Sequence, residues 1–223
     1  QWDDMWPNLN VAYRQHDAHE VSPQAVSAWL RQGELEAAKI ACDAYDKNTF
    51  RQALDDIRGL TTLPPQQFVP RMRELSARAG VAVVFVPSLP KTGVSGATRW
   101  LSPNKALIQL SLRYKTDDHL WFTFFHEAGH ILLHGKKELF LEGTNGLDQA
   151  KENEANEFAE CELIPKKELQ ALVEKRLISK TAITKFAAAN GIAPGIVVGQ
   201  LQHKGVLPRS LCNELKQTFT WTM

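Results

Sequence analysis

Phe124-Phe125-His126-Glu127-Ala128-Gly129-His130-Ile131-Leu132-Leu133-His134-Gly135 is the stretch on which the reading of this chain turns. It contains H-E-x-x-H. On an α-helix, residues i and i+4 stand one above the other on the same face. His126 and His130 can therefore aim two imidazoles at one point, about 2 Å from each ring nitrogen, where a zinc ion would sit. Glu127 lies about 100° around the helix from His126. It borders that point without filling a ligand position, which is where a general base belongs. The pentapeptide alone recurs by chance, and the bland alternative is a surface helix with two solvated histidines. The flanks argue against that alternative. Asp117 or Asp118 offers an N-cap and Gly135 a C-terminal stop. Phe122, Phe125, Ile131, Leu132 and Leu133 make the segment apolar on most sides, so a buried helix is expected. Two histidines and a glutamate inside a buried helix need a reason, and a metal supplies one. His134, one turn past His130, reads either as a support for a ligand or as a core histidine.

A catalytic zinc takes three protein ligands and keeps one position open. The third should come from a helix downstream, and Lys151-Glu152-Asn153-Glu154-Ala155-Asn156-Glu157-Phe158-Ala159-Glu160 is the candidate. Ala155, Ala159 and Leu163 mark its buried stripe, and Glu152 projects from that stripe. Glu154 is rotated about 200° from Glu152 and should lean away. Glu152 is therefore the expected ligand, with Glu154 as the fallback. Asn156, one turn after Glu152, can hydrogen-bond a ligand histidine from outside. The alternative is a solvated acidic helix, since residues 138–162 hold eight acids and one base, Lys151.

His126–His130, then Glu152-x-x-x-Asn156-x-Phe158-Ala159, then Leu163-Ile164-Pro165, resembles the ImmA/IrrE family of zinc metallopeptidases over roughly residues 80–165. The resemblance implies His126, His130 and Glu152 as ligands of one catalytic Zn2+ and Glu127 as catalytic base. Upstream, Ala28-Trp29-Leu30-Arg31-Gln32-Gly33-Glu34 looks like members that carry the peptidase behind an N-terminal helix-turn-helix (XRE-like) module, in toxin–antitoxin or phage-type regulators. No such module is complete here, and DNA contact would come through that missing piece.

The 223 residues suffice for one sizeable domain or two small ones. A net charge of +1 gives no general pull toward nucleic acid or membrane. No signal peptide opens the chain and the apolar runs are too short for a membrane span. Cys42, Cys161 and Cys212 are sparse and odd in number, which suits reduced thiols in a cytoplasmic protein. The first residue is Gln1, not Met, as in a fragment whose upstream part is missing.

In chain order, residues 1–20 read as an irregular lead-in whose His16 and His19 are more simply solvated than metal-bound. Ser22-Pro23 opens a helix that Gly33 should end, with a short helix after it. Asn48-Thr49 opens another, stopped by Gly59, and Pro64-Pro65 a fourth, closed by Gly80. Strands follow at 81–87, 96–101 and 106–112, the last two as a hairpin. An edge strand beside the site could take an extended peptide by strand addition. Arg99, Arg113 and Tyr114 lie at strand ends, where exposure is the simpler reading and oxyanion stabilisation the sharper one. Residues 138–142 read as an edge strand or loop, and 143–146 as a turn that could cover the site. Residues 166–223 hold nine Lys/Arg against three Asp/Glu. They fit helices at 166–177 and 179–190 and a weak helix-turn-helix-like spacing. A helical cap on the peptidase is the simpler outcome there, and DNA contact the rival.

The expectation is an α+β, zincin-like core at 80–165. It has a small antiparallel or mixed sheet of about three strands and an H-E-x-x-H helix. A helical N-terminal region (1–79) and a helix-turn-helix-like C-terminal region (166–223) flank it. The expected function is zinc-dependent endopeptidase action on a protein substrate, a repressor or antitoxin-like regulator. The rival is a non-enzymatic, zinc-stabilised regulator that binds DNA or a protein partner. A homo-oligomer is compatible with either, and a membrane partner with neither.

Overall fold

The computed structural model describes residues 21–135, 140–141, 149–174 and 178–221. His16, His19 and the 143–146 turn lie outside them. Helix α1 (Pro23–Ala38) starts as expected, with Ser22 Oγ accepting the Ala25 N–H at 3.3 Å. It does not stop at Gly33, which lies inside it. Gly33 is where the sheet comes closest: a Cβ there would sit 1.8 Å from Gln109 Oε1. The glycine serves packing and not termination. Helix α2 (Lys47–Gly59) is capped by Asp46, one position earlier than the expected start, with its carboxylate 2.7 Å from Thr49 N. It ends at Gly59 as expected, and a 3-10 turn (Leu60–Thr62) follows. Helix α3 (Pro65–Arg78) leads to Gly80, whose φ of +81° turns the backbone into the sheet. A side chain there would also strike the backbone of Tyr45, at 2.3 Å.

Strands β1 (Val81–Phe85), β2 (Gly96–Ser102) and β3 (Lys105–Leu110) form the sheet with a two-residue β4 (Phe140–Leu141), in the order β1-β3-β2-β4. The sheet is mixed: β1 runs parallel to β3, while β2 is antiparallel to both β3 and β4. Alternation along the strands divides the core. Ala82, Val84 and Leu107 face α1, where Val26, Trp29 and Leu30 cover them. Val81, Val83, Ala106, Ile108 and Leu110 face the opposite layer. That layer is built on α4 (Asp117–Leu133), whose Trp121, Phe124 and Phe125 are fully buried. Each such ring contributes about 1.5–3 kcal/mol of burial.

The ends of α4 differ from expectation. Thr116 occupies the N-cap position, so Asp117 and Asp118 fall in the first turn, both buried. At the other end His134 leaves the helix in an extended conformation, Gly135 is not left-handed, and Leu133 is exposed. Helix α5 (Gln149–Leu163) packs on α4 through Ala155, Ala159 and Leu163. Then come α6 (Lys166–Glu174), α7 (Lys180–Asn190) and α8 (Pro194–His203). Ser179 caps α7 and left-handed Gly191 ends it. Helix α8 buries Ile196, Val197, Val198, Gln200 and Leu201, and packs on α4. Arg58 ties the layers together, donating from Nε to the carbonyls of Glu162 and Leu163 and from Nη1 to that of Asn190. One hydrophobic cluster runs from Phe50 to Phe219 through all three sequence regions. Among the described residues no single helix is long and apolar enough to cross a membrane.

Candidate functional site

His126 and His130 are 2% and 1% exposed on α4, with their Nε2 atoms 3.0 Å apart. Glu152 on α5 reaches both: Oε2 is 3.3 Å from His126 Nε2 and Oε1 is 3.4 Å from His130 Nε2. One ligand atom from each of the three lies within 4.8 Å of the others. Glu154, the fallback, is not part of this cluster, and its Oε2 lies 3.3 Å from His134 Nε2.

The outer hydrogen bonds fix where the protons sit. Asn156 Oδ1 is 2.9 Å from His126 Nδ1. An amide oxygen only accepts, so Nδ1 carries the hydrogen and Nε2 presents its lone pair inward. The same argument runs along a second chain. Glu154 accepts from His134 Nε2–H, which leaves His134 Nδ1 as an acceptor. It takes the Nδ1–H of His130 at 2.9 Å, so His130 Nε2 also turns a lone pair inward. Burial first, then neighbouring His126, His134 and Lys151, pushes the His130 pKa down to about 2. It is the neutral, ligating form at neutral pH. Two lone pairs and a carboxylate facing one another repel unless a cation lies between them. Tetrahedral ligands at about 2 Å from an ion are about 3.3 Å apart, and the contacts of 3.0–3.4 Å match that spacing. The residues fit a divalent metal ion.

Small residues permit this convergence. A Cβ on Gly129 would lie 3.2 Å from the Ala155 Cα and 3.1 Å from the Phe158 ring, so a glycine lets α5 lie close enough to bring Glu152 over the histidines. Gly96, first in β2, does the same for the catalytic candidate. A Cβ there would lie 2.7 Å from Glu127 Oε1 and 2.5 Å from Thr123 Cγ2. Glu127 is fully buried, and Thr98 Oγ1 donates to its carbonyl at 3.1 Å. Neither glycine was singled out from sequence. A Gly placed between two ligand histidines was the available signal for the first.

Arg99 points to the α1 side of the sheet and pairs there with Glu34, so it does not reach the site. Arg113 and Tyr114 lie beside the N-terminal half of α4, in a groove that also includes Phe122. The outer edge of β2 is partly taken, because β4 pairs with Ala97 and Thr98. Strand addition at those two residues is thus excluded while β4 is in place.

The model of the IrrE N-terminal-like domain, peptidase M78, matches residues 77–193, just over half of the chain and all of the metal cluster. No curated protein matches the sequence at a meaningful level. With that match, and with the His126, His130 and Glu152 donors converging as they do, the chain belongs to the M78 peptidase family, in its IrrE N-terminal-like domain.

Proposed function

We propose that the protein is a zinc-dependent endopeptidase of zincin-like architecture, with His126, His130 and Glu152 as zinc ligands and Glu127 as general base. The observation that carries this reading is the convergence of two inward lone pairs and one carboxylate beside a buried glutamate on the same helix. Two imidazoles and a carboxylate are a donor set that suits zinc in its catalytic, three-ligand form. When bound, zinc supplies a Lewis acid that polarises a peptide carbonyl and makes water more acidic.

The chain's own residues supply the rest. Asn156 and His134 hold the two imidazoles in one tautomer and one orientation, so the ligand atoms do not have to be arranged on binding. Glu127, held on a rigid helix and pressed against β2, takes a proton from the attacking water and returns it to the departing amine. Burial keeps competing water from its carboxylate. That the substrate is a repressor or antitoxin-like regulator rests on the family resemblance alone.

The test compares wild type with Glu127→Gln, both zinc-loaded, in a whole-cell lysate, reading new protein termini by mass spectrometry and bound metal by elemental analysis. New termini with wild type only, at equal zinc content, are expected. Identical termini in the two samples would sink the hydrolytic reading.

A further inference from the structure

A groove of about 490 Å3 lies along the seam of α4 and α5. Phe122 on α4 and Glu160 and Leu163 on α5 form its floor, and α8 forms one wall. The same two helices carry the metal cluster. Phe122 precedes His126 by one turn and its ring lies flat beside that imidazole, with centroids 6.1 Å apart. Glu160 follows Asn156 by one turn. A turn of helix rises about 6 Å, so the groove opens one turn from the ligands, on the side facing the start of α4.

The polar groups of the groove are unequally matched. Its two acids are already engaged: Asp118 with Lys216 at 2.6 Å, and Glu160 with Lys204 at 2.6 Å. Two of its cations have no such partner among the described residues. Arg209, on the loop after α8, forms no ion pair among the described residues, and it is exposed. Among the described residues Arg113 donates only to the Gly93 carbonyl, and it spreads over the Tyr114 ring, 5.0 Å from its centroid. Tyr114 in turn stacks on His119, 4.2 Å away, so the cation sits on an aromatic ledge at the groove's rim. Guanidinium groups are built for carboxylate partners.

We propose that this groove is the part of the substrate cleft that reads sequence, and that it takes a polypeptide segment carrying acidic side chains, which Arg209 and Arg113 receive. The inference rests on the peptidase reading of the neighbouring site. An extended peptide rises about 3.3 Å per residue, and Asp118 stands about 12 Å along α4 from His126. The groove as far as Asp118 therefore spans about four extended residues from the bond to be cut. This route also accommodates a substrate although β4 occupies part of the β2 edge.

The experiment uses the full chain as Glu127→Gln, zinc-loaded and immobilised, against an N-acetylated, C-amidated randomised decapeptide library, with retained peptides read by mass spectrometry. Blocking both ends removes terminal charges as a source of binding. Asp and Glu should be enriched about fivefold over Asn and Gln at low salt, and less so at high salt. Adding Arg209→Glu should reverse the order in favour of Lys and Arg, and adding Arg113→Gln should weaken the acidic preference. Arg71→Glu, the same charge change on an exposed α3 residue, should leave it intact. Equal retention of acidic and neutral peptides, or an unchanged preference with Arg209→Glu, overturns the proposal. Wild-type cleavage of the same library separates the two readings. Cleavage without acidic preference discards the groove proposal and keeps the peptidase. Arginine-dependent retention without any cleavage leaves acidic-peptide binding by the groove standing but overturns its role as a substrate cleft, together with the peptidase reading.

Discussion

Helix α4 buries ionisable groups at both ends, and the two ends use them differently. At the start, Asp117 and Asp118 lie under α8 and the C-terminal segment. Asp117 N donates to the Gln217 carbonyl at 2.9 Å, Phe219 N to that of Lys115 at 2.7 Å, and Lys216 pairs with Asp118. Asp117 Oδ1 occupies the space that a Cβ on Gly195 would need, 2.3 Å away, and Asp118 does the same at Gly199. Asp118 is paired through Lys216, the Asp117 carboxyl accepts the Asp118 N–H at 2.9 Å, and the backbone of Asp117 fastens the C-terminal segment at Gln217. Two to three turns later, His126 and His130 are held from outside so that their remaining electron pairs face Glu152 of α5 across a common centre. Burial of charge does not by itself identify a reactive site. Convergence of donors, with the two histidines fixed by outer hydrogen bonds, marks the candidate metal site.

The sharpest way to break this contrast is Glu127→Gln, which should lower peptide cleavage by about 10²–10⁴-fold, the usual worth of a general base. Metal content and thermal midpoint should stay unchanged, as read by elemental analysis and calorimetry. Next comes Glu152→Ala. Competition titration with a zinc chelator should show a loss of affinity greater than the roughly 10–100-fold expected for outer partners, while Glu154→Ala should stay within that range. His134→Ala should fall inside it too, because it releases His130 without removing a ligand.

At the opposite end the readout is stability. Gly195→Val should destabilise by about 1–3 kcal/mol or more through overpacking against Asp117, measured by urea unfolding, with little change in metal affinity. The last readout at this end is a pH dependence. Burial, then the charge of Asp118, raises the Asp117 pKa from 3.8 to about 7. Between these values the unfolded chain has released the proton and the native chain has kept it. Stability contributed by this group is therefore complete below about pH 4, falls as pH rises toward 7, and is level above that, with a slope approaching 1.4 kcal/mol per pH unit, as an order of magnitude. Asp117→Asn should flatten that part of the stability–pH curve. A slope that persists in the variant would assign the effect to other groups.

Much of the site was legible without coordinates, because its signal is local. The i, i+4 histidines, the helical stripe Ala155, Ala159 and Leu163, and the projection of Glu152 all follow from 3.6 residues per turn. The misreadings share a cause as well. Helices do end at Gly59 and just before Gly135, though neither glycine has a positive φ, whereas Gly33 lies inside its helix and admits Gln109 from the sheet. A glycine that ends a helix and one that admits a neighbour look alike in sequence. Asp117 and Asp118 were read as caps for a similar reason, since nothing local reveals that α8 and residue 217 lie above them.

The sequence by itself determined which atoms can ligate, since side-chain direction on a helix is set by backbone geometry. Only the tertiary structure decided three matters: how closely Glu152, the expected ligand, approaches His126 and His130, that His134 steadies His130, and that β1 pairs with β3 and not with β2. Each depends on how closely two elements distant along the chain approach. That distance is set by small residues such as Gly129 and Gly96 meeting partners whose positions no local pattern specifies.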